Sequence, residues 1–231
     1  MFQVLGKLLK KVRPKIGIDI GATSIKAVEI KGKLPNLQVI SFHREKIPPD
    51  VIVDGEISNK EILIKKLENI VQKHAWQGKQ VVTAVGGRKV VIRHIKFPIM
   101  PEIELKQAIQ FEMEKYMPFG NQEIVVDYVN LGPVINDKIK QYLVLLATIP
   151  KEIALSYYDV FFAAGLDLVA IDIIPLALQR ALFLKEGDEE IAVADVGADT
   201  TNFSIIRGTK VSFARTIALA GSLINQNISK A

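Results

Sequence analysis

Apolar residues alternate with others through Ile16-Gly17-Ile18-Asp19-Ile20, which reads as a buried strand with Asp19 near its end. Gly21 through Ser24 are small or hydroxylated and predict a tight turn, and residues 16–45 together read as a three-stranded meander, with Pro35-Asn36 in its second turn and Leu37 to Phe42 in its third strand. After a loop from Pro48 to Gly55, Ser58 is placed to cap a helix, with Glu61 three residues on as a capping box. Ile62, Leu63, Leu67, Ile70 and Val71 form its apolar face, and Gly78 lies beyond its end. Val81 to Val85 is a buried strand stopped by Gly86-Gly87, a pair that suits a hairpin turn or a joint between subdomains better than a nucleotide loop, since no helical pattern follows. The next predicted elements are a strand at 89–96, a helix from Glu102 to Tyr116, strands at 124–131 and 141–148, and a helix from Lys151 to Ala164. Leu105, Ile109, Met113 and Tyr116 share one face of the first of these helices, and Pro118 ends it. A strand at 168–174 leads to a helix at 175–185, with Pro175 in its first turn. Tyr157-Tyr158 and Phe161-Phe162 fit core positions more readily than a recognition surface.

The pattern at 16–26 occurs twice. Ile191 to Val196 is again an apolar strand ending in Asp195, an apolar residue, Gly197, a small residue, a polar residue and hydroxyls. Each turn leads to a second strand and a basic, Gly-containing turn, Lys31-Gly32-Lys33 in one case and Arg207-Gly208-Thr209-Lys210 in the other. Lys210 to Ala214 is a further strand, and Gly221-Ser222 opens a last helix. Two such turns facing each other would form a two-sided clamp. Gly21 permits positive φ and close approach of a ligand. Turn amides and the hydroxyls of Thr23 and Ser24 suit phosphate oxygens. Lys26 adds a point charge, and Asp19 and Asp195 suit a hydrated Mg2+, which takes few carboxylates.

Composition narrows this picture. The net charge is +5, and Lys7, Lys10, Lys11, Arg13 and Lys15 account for all of it, leaving 25 basic and 25 acidic residues afterwards. No nucleic-acid-binding face follows from that balance. Phe2, Leu5, Leu8, Leu9 and Val12 recur at helical spacing, so the leader reads either as a basic amphipathic helix for an anionic membrane or as a frayed tail. Cysteine is absent, which removes disulfide and thiolate chemistry. No apolar run reaches the length of about 20 residues that spans a bilayer. The expectation is a cytoplasmic chain, with peripheral membrane association where the leader forms that amphipathic helix.

Asp19-Ile-Gly-Ala-Thr-Ser-Ile-Lys26 and Asp195-Val-Gly-Ala-Asp-Thr-Thr201 resemble the two phosphate loops of the actin, Hsp70 and sugar-kinase ATPase superfamily. Lys96-Phe97-Pro98, Gln110-Phe111-Glu112, Tyr116-Met117-Pro118-Phe119, Thr148-Ile149-Pro150-Lys151-Glu152 and Leu166 to Asp172 are similar to segments of the PilM family of type IV pilus assembly proteins. The resemblance covers nearly the whole chain. It implies an α/β, actin-like (ribonuclease H-like) fold with an FtsA/PilM-type insert. The expected divisions are a leader (1–15), a first subdomain (16–87), the insert (88–165), a return strand and linking helix (166–190), and the start of a second subdomain (191–231). It further implies ATP and Mg2+ as cofactors. Gly21, Ala22, Thr23, Ser24 and Lys26 would face Gly197, Ala198, Asp199, Thr200 and Thr201 across the phosphates, with Asp19 and Asp195 on Mg2+ through water. The implied partner is the cytoplasmic N-terminal tail of the inner-membrane protein PilN.

Two departures qualify the resemblance. An adenosine-binding Gly-rich loop, a second linking helix and an outer subdomain would follow the second hairpin, whereas this chain stops at Ala231, so it reads as a fragment or as a protein without its base-binding half. An apolar surface around Ile217, Leu219, Leu223 and Ile228 is then expected to be exposed. The residue that orients the attacking water in these ATPases would fall near Ile174, Pro175 or Leu176, all apolar, with Asp172 and Gln179 as neighbours. Binding without fast hydrolysis is the expectation. The alternatives are a self-associating, FtsA-like division protein and a small-molecule kinase of the same superfamily.

Overall fold

The computed structural model describes residues 15–33, 36–116, 122–136, 138–182 and 189–230. The leader 1–14, the turn at Pro35, the segment 117–121 with Pro118, and residues 183–188 at the predicted end of the 175–185 helix lie outside the described residues, as do the side chains of Met113 and Tyr116.

The first meander forms as expected, as β1 (Ile16–Ile20), β2 (Ser24–Lys33) and β3 (Asn36–Lys46). A small hairpin, β4 (Ile52–Val53) and β5 (Glu56–Ile57), leads to α1 (Lys60–His74) and then β6 (Gln80–Val85). The helix cap differs from expectation. Ser58 is held by its backbone N–H to the Val51 carbonyl at 2.9 Å, and Asn59 is the cap, its side chain accepting from the Ile62 N–H at 3.1 Å. With Lys60 as the first helical residue, Glu61 stands one position too early to complete a capping box.

The inserted segment holds β7 (Val91–Pro98), α2 (Glu102–Tyr116), β8 (Ile124–Asn136) and β9 (Ile139–Pro150), and its sheet order is β7-β9-β8. Leu105 and Ile109 of α2 pack on Ile95, Phe97, Val144 and Leu146 as a small separate core. Next comes α3 (Lys151–Ala163), which the sequence grouped with the insert. Its Ile153, Ala154, Tyr157, Val160 and Phe161 instead enter the main core with α1. Both aromatic pairs are split by helical geometry: Tyr157 and Phe161 are buried, while Phe162 is exposed with its ring stacked 6.1 Å from that of Tyr158.

β10 (Asp167–Ile173) completes a five-stranded sheet in the order β10-β6-β1-β2-β3. β10, β6 and β1 are parallel, and β2 and β3 continue antiparallel. The carboxyl ends of the three parallel strands therefore share one edge. One sheet face, including Ile16, Ile18, Val81 and Val85, packs on α1 and α3 to form the main core. Gly17, Val28, Val82 and Ala84 line a groove of about 850 Å3 with Ala177 and Leu178 of α4 (Ile174–Ala181), which has Pro175 in its first turn.

The second meander is β11 (Glu190–Val196), β12 (Thr201–Arg207) and β13 (Lys210–Ile217), followed by α5 (Gly221–Ile228). Ile217, Leu219, Leu223 and Ile228 are exposed, as the sequence reading anticipated. The insert touches this unit directly. His94 Nε2 meets the Val211 carbonyl at 2.8 Å, and Lys210 Nζ donates to the Leu131 carbonyl at 2.7 Å. No helix among the described residues is long and apolar enough to cross a membrane.

Candidate functional site

The two hairpin turns line one cleft of about 270 Å3. Asp19, Gly21, Ala22, Thr23, Ser24 and Lys26 contribute from one side, and Asp195, Gly197, Ala198, Asp199 and Thr200 from the other. Thr201 does not line it, because its hydroxyl turns to the Leu219 carbonyl.

The same local device makes both turns. The Gly21 N–H donates to the Ser24 carbonyl at 3.0 Å, and the Gly197 N–H to the Thr200 carbonyl at 3.0 Å. Neither glycine has positive φ, contrary to expectation for Gly21. Space explains the residue type at 197, where an added Cβ would stand 2.9 Å from the Thr200 oxygen. At Gly21 the corresponding distance is 3.5 Å, an ordinary contact.

Asp19 sits opposite Lys26 in the strand register, and Lys26 Nζ donates to Asp19 Oδ2 at 2.8 Å. Both side chains are about half exposed, so the pair stays accessible to a ligand, and its own worth to stability is small. In the second hairpin, Asp195 sits opposite Asn202, whose Nδ2 donates to Asp195 Oδ2 at 3.2 Å.

The floor of the cleft comes from residues the sequence reading left unassigned. Asp54 and Gly55, at the tip of the β4–β5 hairpin, press backbone to backbone against Gly86 and Gly87. Arg88 clamps this contact, donating from its backbone N–H and its Nε to the two Asp54 oxygens at 2.9 and 2.8 Å. Tyr157 Oη donates to the Gly55 carbonyl at 3.0 Å from a fully buried position. Burial, and secondarily the negative charge of Asp19, push this phenol far above its ordinary range, so it serves as a neutral donor. The Gly86-Gly87 pair follows β6 on the way to β7, and it also borders the cleft. Arg44, next to Lys26 in the register, adds a second cation.

Ile174 also lines the cleft, apolar as the spacing argument anticipated. Asp172 is committed elsewhere: it forms an ion pair with Arg180 and accepts from the Ile173 N–H at 2.8 Å. Four carboxylates, of which Asp54 is held by Arg88 and Asp19 by Lys26, stand with two cationic side chains and two hydroxyl-bearing turns, a donor set that fits a phosphate chain with a hydrated Mg2+. Among the described residues no group of three or more His, Asp or Glu side chains gathers for direct ligation.

Asn202, Tyr157 and the Asp54–Arg88 pair are the site residues that sequence reasoning missed. For Asn202 a signal existed: it follows Asp195 by the same seven residues that separate Lys26 from Asp19. The others depend on contacts 34 and 102 residues apart, which local pattern does not encode.

Comparison with known proteins gives the arrangement its relatives. A PilM–PilN type IV pilus biogenesis complex contains a chain 27% identical to this one, with a TM-score of 0.82 over 95% of this chain. The present chain spans 66% of that protein's length. EutJ of Carboxydothermus hydrogenoformans, an ethanolamine utilization protein, is 17% identical with a TM-score of 0.53, over 94% of this chain and 57% of its own. MreB5 of Spiroplasma citri, in a structure bound to ADP, is 15% identical with a TM-score of 0.51, over 95% and 56%. These likenesses establish the actin-like ATPase fold for the α/β arrangement described above. A family model described as type IV pilus assembly protein PilM matches residues 17–231. The chain thus belongs to the PilM family of type IV pilus assembly proteins.

Proposed function

We propose that this protein is an ATP-binding platform at the cytoplasmic side of the inner membrane, which grips the N-terminal tail of PilN during pilus assembly. The observation that carries the reading is the convergence of both hairpin turns, with Asp19, Lys26 and Asp195, on one cleft. In this reading Gly21, Ala22, Thr23, Ser24 and Lys26 cradle phosphate oxygens from one side. Gly197, Ala198, Asp199 and Thr200 do so from the other, and Asp19 and Asp195 hold Mg2+ through water. Thr201 supports the turn from behind through its bond to Leu219.

Ile174 offers no polar atom to orient a water, so nucleotide occupancy rather than turnover is the output. Occupancy draws the two hairpins together and shifts the population that accepts the tail, which requires different nucleotide affinities in the two states. The related PilM–PilN complex supports the choice of partner. Capture of an extended peptide in the groove between the first subdomain and the insert follows a common recognition mode.

Calorimetric titration tests both halves. Mg-ATP is expected to bind the wild-type chain and to lose measurable binding in Asp19→Ala with the fold intact. Undiminished binding in that variant would sink the assignment of the cleft. Saturable binding of a PilN N-terminal peptide supports the platform role, and its absence with and without Mg-ATP refutes it.

A further inference from the structure

The two meanders share one register and differ at the same place in it. In the first, Asp19 is opposite Lys26 and Lys26 is opposite Arg44. In the second, Asp195 is opposite Asn202 and Asn202 is opposite Thr216. The first row is charged and open to solvent. In the second, the partners of the carboxylate are neutral, and Asn202 is buried at 4% exposure.

The chemistry of the second row determines its orientation. An ionised carboxylate only accepts, so the Asn202 amide turns its NH2 toward Asp195 Oδ2, at 3.2 Å. That leaves Asn202 Oδ1 for a donor from the other side, and the Thr216 hydroxyl supplies it at 2.8 Å. A buried amide engaged at both ends has little freedom to rotate. Among the described residues, the hydrogen bond to Asp195 comes from a neutral amide, whereas Asp19 is already paired with an ammonium.

We propose that Asn202, oriented by Thr216, is the positioning residue that aims Asp195 at a hydrated divalent cation in the cleft. The inference rests on the nucleotide-binding reading of that cleft. It divides the labour between the hairpins: the first, with Lys26 and Arg44, carries the phosphate-facing cations, and the second carries the carboxylate that retains its charge for the metal. Partners that orient a metal-facing carboxylate typically change metal affinity by about 10- to 100-fold when removed.

The test uses the whole chain and separates metal from nucleotide. ATP binding is measured by calorimetry at a series of Mg2+ concentrations and again in chelator. Three variants are compared: Asn202→Ala, Thr216→Val, which keeps shape and loses the hydroxyl, and Thr216→Ser, which restores it. A thermal melt of each variant confirms folding. The expected result is a rise of about 10- to 100-fold in the Mg2+ concentration for half-saturation in Asn202→Ala and Thr216→Val, wild-type behaviour in Thr216→Ser, and, for Thr216→Val, unchanged affinity in chelator. In the wild type, Mn2+ should broaden the Asn202 side-chain amide resonance. Folded Thr216→Val with an unaltered Mg2+ requirement, an equal loss of affinity in chelator, or no broadening by Mn2+ overturns the positioning role. In all three cases the nucleotide reading stands so long as the wild type binds Mg-ATP. If the wild type shows no Mg2+-dependent ATP binding, the cleft reading itself fails and takes this inference with it.

Discussion

Replacing Gly87 by alanine isolates the energetic worth of the backbone contact at the floor of the cleft. Gly87 has φ +97°, and an added Cβ would stand 2.0 Å from the Asp54 carbonyl oxygen. That is about 1.5 Å inside a comfortable non-bonded contact. The obstacle is backbone, held by the Arg88–Asp54 clamp, so it cannot swing aside as a side chain would. Gly132 is the matched control: its φ is +100°, and an added Cβ would meet nothing within 4 Å. Both substitutions incur the conformational cost of a non-glycine residue in this region, about 1–3 kcal/mol. Only Gly87→Ala adds an overpacking penalty, again about 1–3 kcal/mol. The expected losses are about 1–3 kcal/mol for Gly132→Ala and about 2–6 kcal/mol for Gly87→Ala. Urea denaturation followed through Trp76, the single tryptophan and 1% exposed, reads both. For a chain of this length the additional loss lowers Tm by about 2–12 °C. Equal destabilisation of the two variants, within about 0.5 kcal/mol, would refute the close-approach argument.

Two further outcomes are expected. Burial, followed by the charges of His43 and Lys73, lowers the His74 pKa below its ordinary 6.5, so the unfolded chain takes up a proton there before the folded one does. The His74 contribution to stability is therefore fully present above about pH 6.5 and is lost as pH falls through the lowered folded value; His74→Gln should flatten that part of a stability–pH profile, and an unchanged slope would argue against it. Asn59→Ala removes the side-chain cap of α1 and should lower stability by about 1 kcal/mol, whereas Ser58→Ala should change it much less; the reverse order in urea melts would restore Ser58 as the cap.

What the sequence disclosed was local. The alternation of Ile16, Ile18 and Ile20 and the repeat of Asp-x-Gly at 195–197 predicted both hairpins, because strand period and turn chemistry act over a few residues. The α2 boundaries, Glu102 to Tyr116, were legible for the same reason. The error at the α1 cap came from a choice between adjacent Ser58 and Asn59, which a tertiary bond to Val51 decided. That α3 would pack into the main core beside α1 was not legible, because an amphipathic helix does not state which core its face will join. Asn202 was readable in principle from the seven-residue spacing, but its partner Thr216 emerges only from the pairing of β12 with β13. The Asp54–Gly55 approach to Gly86–Gly87 left no local trace beyond the glycines themselves.

The sheet order also dictates a timetable for synthesis. β1, β2 and β3 can pair as soon as they leave the ribosome, since each adjoins its neighbour in the chain. β6 joins β1 soon afterwards, but its other edge waits for β10, and β6 ends at Val85 while β10 begins at Asp167. At about 5–20 residues per second, that interval lasts about 4–16 s. The insert and α3 are made within it, so the nascent chain carries an unpaired strand edge while a second small core condenses beside it. The parallel pairing of β6 with β10 then sets Ile174 in the lining of the cleft, and the second hairpin, beginning at Glu190, is the last part of the cleft to leave the ribosome. The wall that faces the first hairpin is thus the last part of the site to emerge.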